Sequence, residues 1–112
     1  MEATDIINRI RDTIARGSII PPGEWLDMAF SLNALIGGEN DKYAKMYVNA
    51  HRKQVISIKN GSSASLGEAE MKASEEYELL LAQKGKIEQI SEFIRIAKIR
   101  SQMADKEFNL DA

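Results

Sequence analysis

The sequence predicts an all-α protein in which three short helices pack on one long C-terminal helix that extends into an oligomer or partner interface. Apolar residues recur every seven positions in the C-terminal half, a pattern typical of a long amphipathic helix: Leu66, Ala73, Leu80, Ile87 and Ile94. Both prolines, Pro21 and Pro22, precede this stretch, so no proline interrupts it. Upstream, apolar residues at three- and four-residue spacings are separated by glycine-containing segments.

Length and composition bound the class of protein. With 112 residues, 44% of them apolar, the chain is predicted to form one domain over residues 1–112 with a buried core. The net charge of −2 gives no global basic field. The lack of cysteine excludes disulfides, thiolate zinc sites and cysteine nucleophiles. The charged N-terminus and the lack of an apolar run of about 18 residues predict a cytoplasmic protein without signal peptide or membrane contact.

The N-terminal part, residues 1–61, is predicted to hold three helices. The first covers residues 3–16, because one side carries Ala3, Ile6, Ile7, Ile10 and Ile14. Gly17 is expected to end it in the left-handed conformation. Residues 18–23 then form a rigid connector, since two prolines fix the backbone, and Ile19 and Ile20 are expected to tuck under the core.

The second helix is predicted from Pro22 or Gly23 to Ile36, where Gly37-Gly38 stops it. Asn40 or Asp41 caps the third helix, whose apolar stripe consists of Ala44, Tyr47, Val48, His51, Val55 and Ile58. Asn60-Gly61 ends this helix. Residues 55–58 could instead form a hairpin strand, but the following serine-rich residues are a poor partner strand.

The long helix is predicted over residues 65–106, followed by a tail at 107–112. Ser65 and Glu68 form a capping box at its start. Gly85 is the weak point and costs about 1 kcal/mol relative to alanine, yet the stripe keeps its phase there, which favours an unbroken helix over a hairpin. Such a helix would be about 60 Å long at 1.5 Å per residue, while a compact chain of this size has a radius of gyration of about 13 Å. Part of it should therefore project or be covered by another subunit.

The later part of this helix is apolar on two sides, which indicates a protein partner or a second copy. The predicted interface consists of Ile87, Ile90, Phe93, Ile94, Ile96, Ile99 and Met103. The alternative is that the additional apolar residues fill one thick core.

No constellation of residues indicates catalysis. His51 is the chain's single histidine and lacks a second ligand one helical turn away, so a packed, hydrogen-bonded histidine is the simpler interpretation. The Gly37-Gly38-Glu39-Asn40-Asp41 segment lacks the Lys-Ser/Thr of a phosphate-binding loop and the alternating oxygen ligands of a calcium loop. We expect no enzyme activity, no cofactor, no metal and no small-molecule substrate.

The predicted function is therefore a non-enzymatic interaction or assembly module that self-associates through the apolar C-terminal half of the long helix. The alternative is a nucleic-acid-binding accessory protein that contacts phosphates through basic residues of the same helix. Those residues are Lys84, Lys86, Arg95, Lys98 and Arg100, with Arg52 and Lys53 as additional candidates. They do not share one face, and a solvated, self-complementary charged surface is the simpler interpretation of them.

Overall fold

A computed structural model describes the backbone of residues 2–110 and the side chains of residues 2–107. The described residues form four helices: α1 (Ala3–Ala15), α2 (Pro22–Lys59), α3 (Ala64–Lys72) and α4 (Glu75–Leu110). They group into two compact units. Unit 1 contains residues 2–37 and 88–110, and unit 2 contains residues 38–87. The all-α class is confirmed, but the chain is divided into helices differently from the prediction.

The first helix agrees with the sequence analysis. Its buried residues are Ala3, Ile6, Ile7 and Ile10, which is the predicted face. Asp5 Oδ2 accepts a hydrogen bond from the Glu2 backbone N–H at 3.2 Å and so caps the start of the helix. Gly17 ends it with φ of +64°, the left-handed conformation that glycine adopts without strain.

Unit 1 is built around an apolar core to which three helices contribute. Its largest fully buried side chains are Ile10 from α1, Leu32 from α2 and Ile90 from α4. Around them lie Ala3, Ile6, Ile7, Trp25, Met28, Ala29, Ile94, Ala97 and Ala104. In the connector, Ile20 packs against this core, whereas Ile19 is 72% exposed. The expectation that both isoleucines are covered is therefore wrong for Ile19.

The helix α2 runs through Gly37-Gly38 without a break, so the predicted stop at these glycines is wrong. Pro22 is its first residue, as predicted, because a proline in the first turn removes no hydrogen bond. Two glycines in a helix interior cost about 2 kcal/mol together, but residues on either side have packing partners that hold both halves helical. Residues 55–58 are helical as well, and Gly61 (φ +101°) follows the helix end.

The predicted helix over residues 65–106 is wrong at its start. The capping residue is Ser63 rather than Ser65, because Ser63 Oγ accepts from the Leu66 N–H at 3.2 Å. The helix then breaks at Ala73-Ser74. Ser74 Oγ donates to the Met71 carbonyl at 2.6 Å and accepts from the Tyr77 N–H at 3.3 Å. A serine that caps the next helix in this way competes with helix continuation.

From Glu75 onward the prediction of a continuous helix is confirmed. The helix α4 passes through Gly85 and continues to Leu110. Residues 107–110 of the predicted tail are therefore helical, and residues 111–112 lie outside the described residues.

Unit 2 consists of the second half of α2, all of α3 and the first turns of α4. Its buried apolar residues are Ala50, Met71 and Leu80. Polar contacts join its helices: Ser57 Oγ donates to the Glu70 carboxylate, and Lys53 Nζ lies 3.5 Å from Glu76 Oε1. At Gly67, α3 approaches α2 so closely that a Cβ would lie 3.0 Å from Ile58 Cγ1. Small residues thus allow the helices to approach each other.

Candidate interaction surface

The interface predicted on α4 is divided between the core and the surface. Ile90 and Ile94 are buried in the core of unit 1, and Phe93 and Ile96 pack against that core. Ile87 is half-buried. Ile99 and Met103 keep 40% and 47% of their surface exposed. Most of the predicted residues therefore already have neighbours within the chain, and Ile99 and Met103 have the most surface left for a partner.

Phe93 shows why this helix is apolar on two sides. The Arg11 guanidinium of α1 lies over the Phe93 ring, 5.0 Å from its centroid, a distance typical of a cation–π contact. On another side of α4, Ser101 Oγ donates to the Pro22 carbonyl at the start of α2 at 3.2 Å. Within unit 1, α4 therefore contacts both α1 and α2. Covering two sides of one helix requires apolar residues on both.

The five basic residues predicted to contact nucleic acid are not equally available. Lys86 Nζ lies 3.1 Å from Glu39 Oε1, and Arg95 forms an ion pair with Glu92. Arg100 is half-buried beside a cavity of about 120 Å³ that Trp25 also lines. Lys84 and Lys98 are exposed. Lys84 and Lys86 belong to unit 2, whereas the other three belong to unit 1.

A buried carboxylate, Glu39, connects α2 to α4 within unit 2. Gln83 Nε2 donates to Glu39 Oε2 at 2.7 Å and to the Glu39 carbonyl at 2.9 Å. Lys86 and Lys42 lie 3.1 and 3.5 Å from its Oε1. The Gln83 hydrogen bond holds the pKa of Glu39 below its ordinary value of 4.5, assisted by Lys86, although burial opposes this shift. Sequence analysis missed this network because Glu39 and its main partner Gln83 are 44 positions apart.

Exposed apolar side chains are concentrated in unit 2. Among the described side chains, twelve large apolar residues are at least 40% exposed, and eight of them belong to unit 2: Tyr47, Val48, Val55, Ile56, Ile58, Leu66, Leu79 and Leu81. The same unit buries only three apolar side chains, against twelve in unit 1. Concentrated exposed apolar surface is typical of interaction sites, so unit 2 carries the better candidate.

The second half of α2 has two interleaved faces. Its inner face, buried or half-buried, consists of Glu39, Tyr43, Met46, Ala50, Gln54 and Ser57. Its outer stripe consists of Ala44, Val48, His51, Val55 and Ile58, alternately four and three positions apart. An apolar stripe is ordinarily the buried side of a helix, yet Val48 and Val55 are 49% and 50% exposed. The more apolar face of this segment thus points to solvent.

Aromatic side chains connect the outer stripe to a groove. The ring centroids of Tyr47 and His51 are 4.1 Å apart, and those of Tyr43 and Tyr47 are 6.3 Å apart. His51 is half-buried and packs against Tyr47, which confirms the predicted packing, but no hydrogen bond of its side chain is found among the described residues. These rings line one wall of a groove of about 430 Å³, and the other walls include Met71, Lys72, Tyr77, Leu80, Leu81 and Lys84. The groove, which Glu68 also lines, therefore combines apolar and charged side chains beside the exposed stripe.

A row of cations borders the outer stripe. Lys45, Arg52 and Lys59 are each one position after a stripe residue and seven positions apart, so they lie along one edge of the helix. All three are exposed. Among the side chains of residues 2–107, no carboxylate lies within 4.0 Å of these three cations. The spacing of these three cations is visible in the sequence. Their relation to an exposed apolar stripe became apparent only from the structure.

Within the described residues, no helix is both long and apolar enough to cross a membrane. The same residues contain no group of three or more His, Asp or Glu side chains arranged to hold a metal ion. Comparison of the chain with protein-family models, curated proteins and solved structures found no match.

Proposed function

We propose that this protein is a non-enzymatic protein–protein interaction module and that unit 2 carries its main interaction surface. The observation that supports this proposal is the outer stripe of α2, a row of mainly apolar side chains at helical spacing whose members Val48 and Val55 are about half exposed. Its last member, Ile58, lies against α3. Leaving such a stripe in water forgoes about 25 cal/mol for each Å² of apolar surface. A partner that covers the stripe would recover this free energy on binding.

Self-association through the C-terminal half of α4 receives less support from the geometry. Ile90 and Ile94 are already buried within unit 1, so covering them again would add nothing. Ile99 and Met103 together provide a smaller exposed surface than the stripe and groove of unit 2. We therefore place any contact made by α4 second to the contact made by α2.

Nucleic-acid binding is the second candidate function. The observation that favours it is the row of exposed cations Lys45, Arg52 and Lys59, which are about 10 Å apart at 1.5 Å per residue. The basic residues of α4 support it less, because Lys86 and Arg95 are paired with carboxylates. A row of cations beside an uncovered apolar stripe is explained more completely by a protein partner.

Site-specific photo-cross-linking in cells that make the protein would test the proposed function. A benzophenone amino acid replaces Val55 on the outer stripe, Ile99 on α4, or Asn49, an exposed polar residue elsewhere on α2. We expect a discrete cross-linked species from position 55, a weaker one from position 99, and none from position 49. A species of twice the chain mass of 12.5 kDa would identify a second copy as the partner.

Position 49 is the control, because it is an exposed position on the same helix as position 55 but is polar. An interaction module cross-links from its apolar surface and not from a polar position on the same helix. The proposal would be contradicted if neither apolar position gave a discrete cross-linked species. It would also be contradicted if position 49 gave a species as strong as that from position 55.

A further inference from the structure

We infer that the outer stripe of α2 binds an amphipathic helix of a different protein, and that the bound helix carries acidic residues along its edge. This inference rests on the proposed function and specifies the chemistry of the partner. It is drawn from the spacing of the stripe, from the charges that border it and from the groove beside it, all within unit 2.

The spacing of the stripe fits a helix rather than an extended peptide. The intervals from Ala44 to Ile58 are four, three, four and three residues, which is the alternation by which two helices pack along a seam. Side chains at these positions form one row along α2 and can fit between those of a second helix. An extended peptide would instead need free backbone groups at a sheet edge, and the described part of this chain is helical with short connections.

The charges bordering the stripe select an acidic partner. In the seam defined by Ala44, Val48, His51, Val55 and Ile58, the cations Lys45, Arg52 and Lys59 occupy the flanking position of three successive heptads. Flanking residues of packed helices face one another and determine the choice of partner. Carboxylates on the bound helix would meet this row, and no carboxylate among the described side chains does so already.

The same charges argue against pairing of this stripe with the same stripe of a second copy. In an antiparallel pair of α2 helices, the flanking cations of one copy would face those of the other, and like charges in this position repel. In a parallel pair they would face the opposite flank, which carries Tyr47 and Gln54 and offers no negative charge. Neither arrangement complements the row.

The groove beside the stripe provides room for the side chains of a bound helix. Tyr47 and His51 belong to its wall on the α2 side, and Leu81 and Lys84 belong to its wall on the α4 side. Leu81 is exposed, and Lys84 adds a cation on the far side. A helix lying over this surface would therefore meet apolar side chains beneath it and the row of cations on one side. On the other side it would meet Lys84 together with Glu68, whose charge is paired with that of Lys72.

Titration of two designed peptides would test this inference. Each labelled peptide has about 21 residues, three heptads, with leucine at both seam positions. One carries glutamate at all flanking positions and the other carries lysine. We expect the full-length protein to bind the acidic peptide with a Kd on the order of micromolar, measured by fluorescence anisotropy, and to bind the basic peptide at least about tenfold more weakly. Raised salt should weaken binding of the acidic peptide.

Variants identify the surface that binds. Val48→Gln with Val55→Gln should weaken binding of the acidic peptide at least about tenfold, which corresponds to about 1.4 kcal/mol. Lys45→Glu with Arg52→Glu should reverse the preference, so that the basic peptide binds more tightly. The control Leu79→Gln removes an exposed leucine that does not line the groove and should leave both affinities unchanged.

Each other outcome overturns the inference and indicates what replaces it. Equal binding of both peptides, or no binding of either, removes the acidic helix as partner. A doubled molar mass in light scattering that reverts in the Val48→Gln, Val55→Gln variant assigns the stripe to a second copy. Labelled DNA or RNA that binds through Arg52 at low salt assigns the cations to nucleic acid. If the peptides fail while cross-links from position 55 persist, the proposed function stands and only the partner chemistry is wrong.

Discussion

At the scale of single residues, Glu39 stands out in unit 2 as a charged residue that is buried. A buried carboxylate is stable only when charged or hydrogen-bonding groups replace its water. Gln83 supplies hydrogen bonds to both the side chain and the backbone of Glu39, and Lys86 supplies the positive charge. This network follows Gly37-Gly38, two residues of low helix propensity, and joins α2 to α4 within unit 2.

Replacing Gln83 with alanine should lower the free energy of unfolding by about 2 kcal/mol at pH 7, because a buried charged acceptor loses its donor. The pKa of Glu39 is lowered in the folded state. Its contribution is therefore fully present above the unfolded pKa of about 4.5 and is lost as the pH falls through the lowered folded pKa. Urea denaturation of the wild type and of Gln83→Ala from pH 7 to pH 3 measures the difference between their free energies of unfolding, which should shrink in acid. A difference that grows as the pH falls would contradict the stabilisation of ionised Glu39 by Gln83.

Gly67 and Gly85 offer a matched pair of glycine-to-alanine substitutions within helices. Gly85 is exposed and a Cβ there meets no atom within 4 Å, so Gly85→Ala should stabilise the protein by about 0.5–1 kcal/mol. A Cβ on Gly67 would lie 3.0 Å from Ile58 Cγ1 and 3.3 Å from the Gln54 carbonyl oxygen. Overpacking costs about 1–3 kcal/mol and should outweigh the helix gain.

Thermal and urea unfolding of the two alanine variants measures this difference. Opposite signs are expected for Gly85→Ala and Gly67→Ala. A stabilising Gly67→Ala would show that α3 does not approach α2 as closely as described.

At the scale of helices, the sequence predicted those ends that depend on local chemistry. Gly17 and Gly61 adopt positive φ where helices end, and Pro22 starts α2. Prediction failed where tertiary contacts outweigh local preference. Gly37-Gly38 stays helical because Leu32 on one side and Glu39 on the other are held by partners distant in the sequence. The break at Ser74 was missed because apolar residues continue to recur every seven positions on both sides of it.

Replacing Gly37 and Gly38 with alanine tests whether α2 is continuous. Both glycines are exposed, and a Cβ at either position meets no atom within 4 Å. In a continuous helix the double variant should raise the free energy of unfolding by about 1–2 kcal/mol. If the helix instead ended there with a glycine in the left-handed conformation, alanine would be strained and would lower the free energy of unfolding. Chemical denaturation with helical content from circular dichroism distinguishes the two results.

At the scale of the whole molecule, the sequence could identify apolar stripes but not which of them are buried. The second half of α2 carries two interleaved rows of side chains. From the sequence alone, the more apolar row would be expected to face the interior. The structure buries the other row, because small residues such as Ala50 and Ser57 permit close approach of neighbouring helices and Glu39 finds partners on α4. On α4, the apolar residues that suggested an external partner are largely covered by α1 and α2.

This assignment of inner and outer faces predicts a large asymmetry between substitutions on one helix. Val48→Gln with Val55→Gln places polar groups where water already reaches, so each change should alter the free energy of unfolding by no more than about 0.5 kcal/mol. Ala50→Gln introduces the same side chain at a fully buried position and should cost about 1–3 kcal/mol by overpacking. Urea denaturation of the two variants beside the wild type gives both values. If the double valine variant loses as much stability as Ala50→Gln, the stripe is an interior face of this chain, and no surface remains there for a partner to bind.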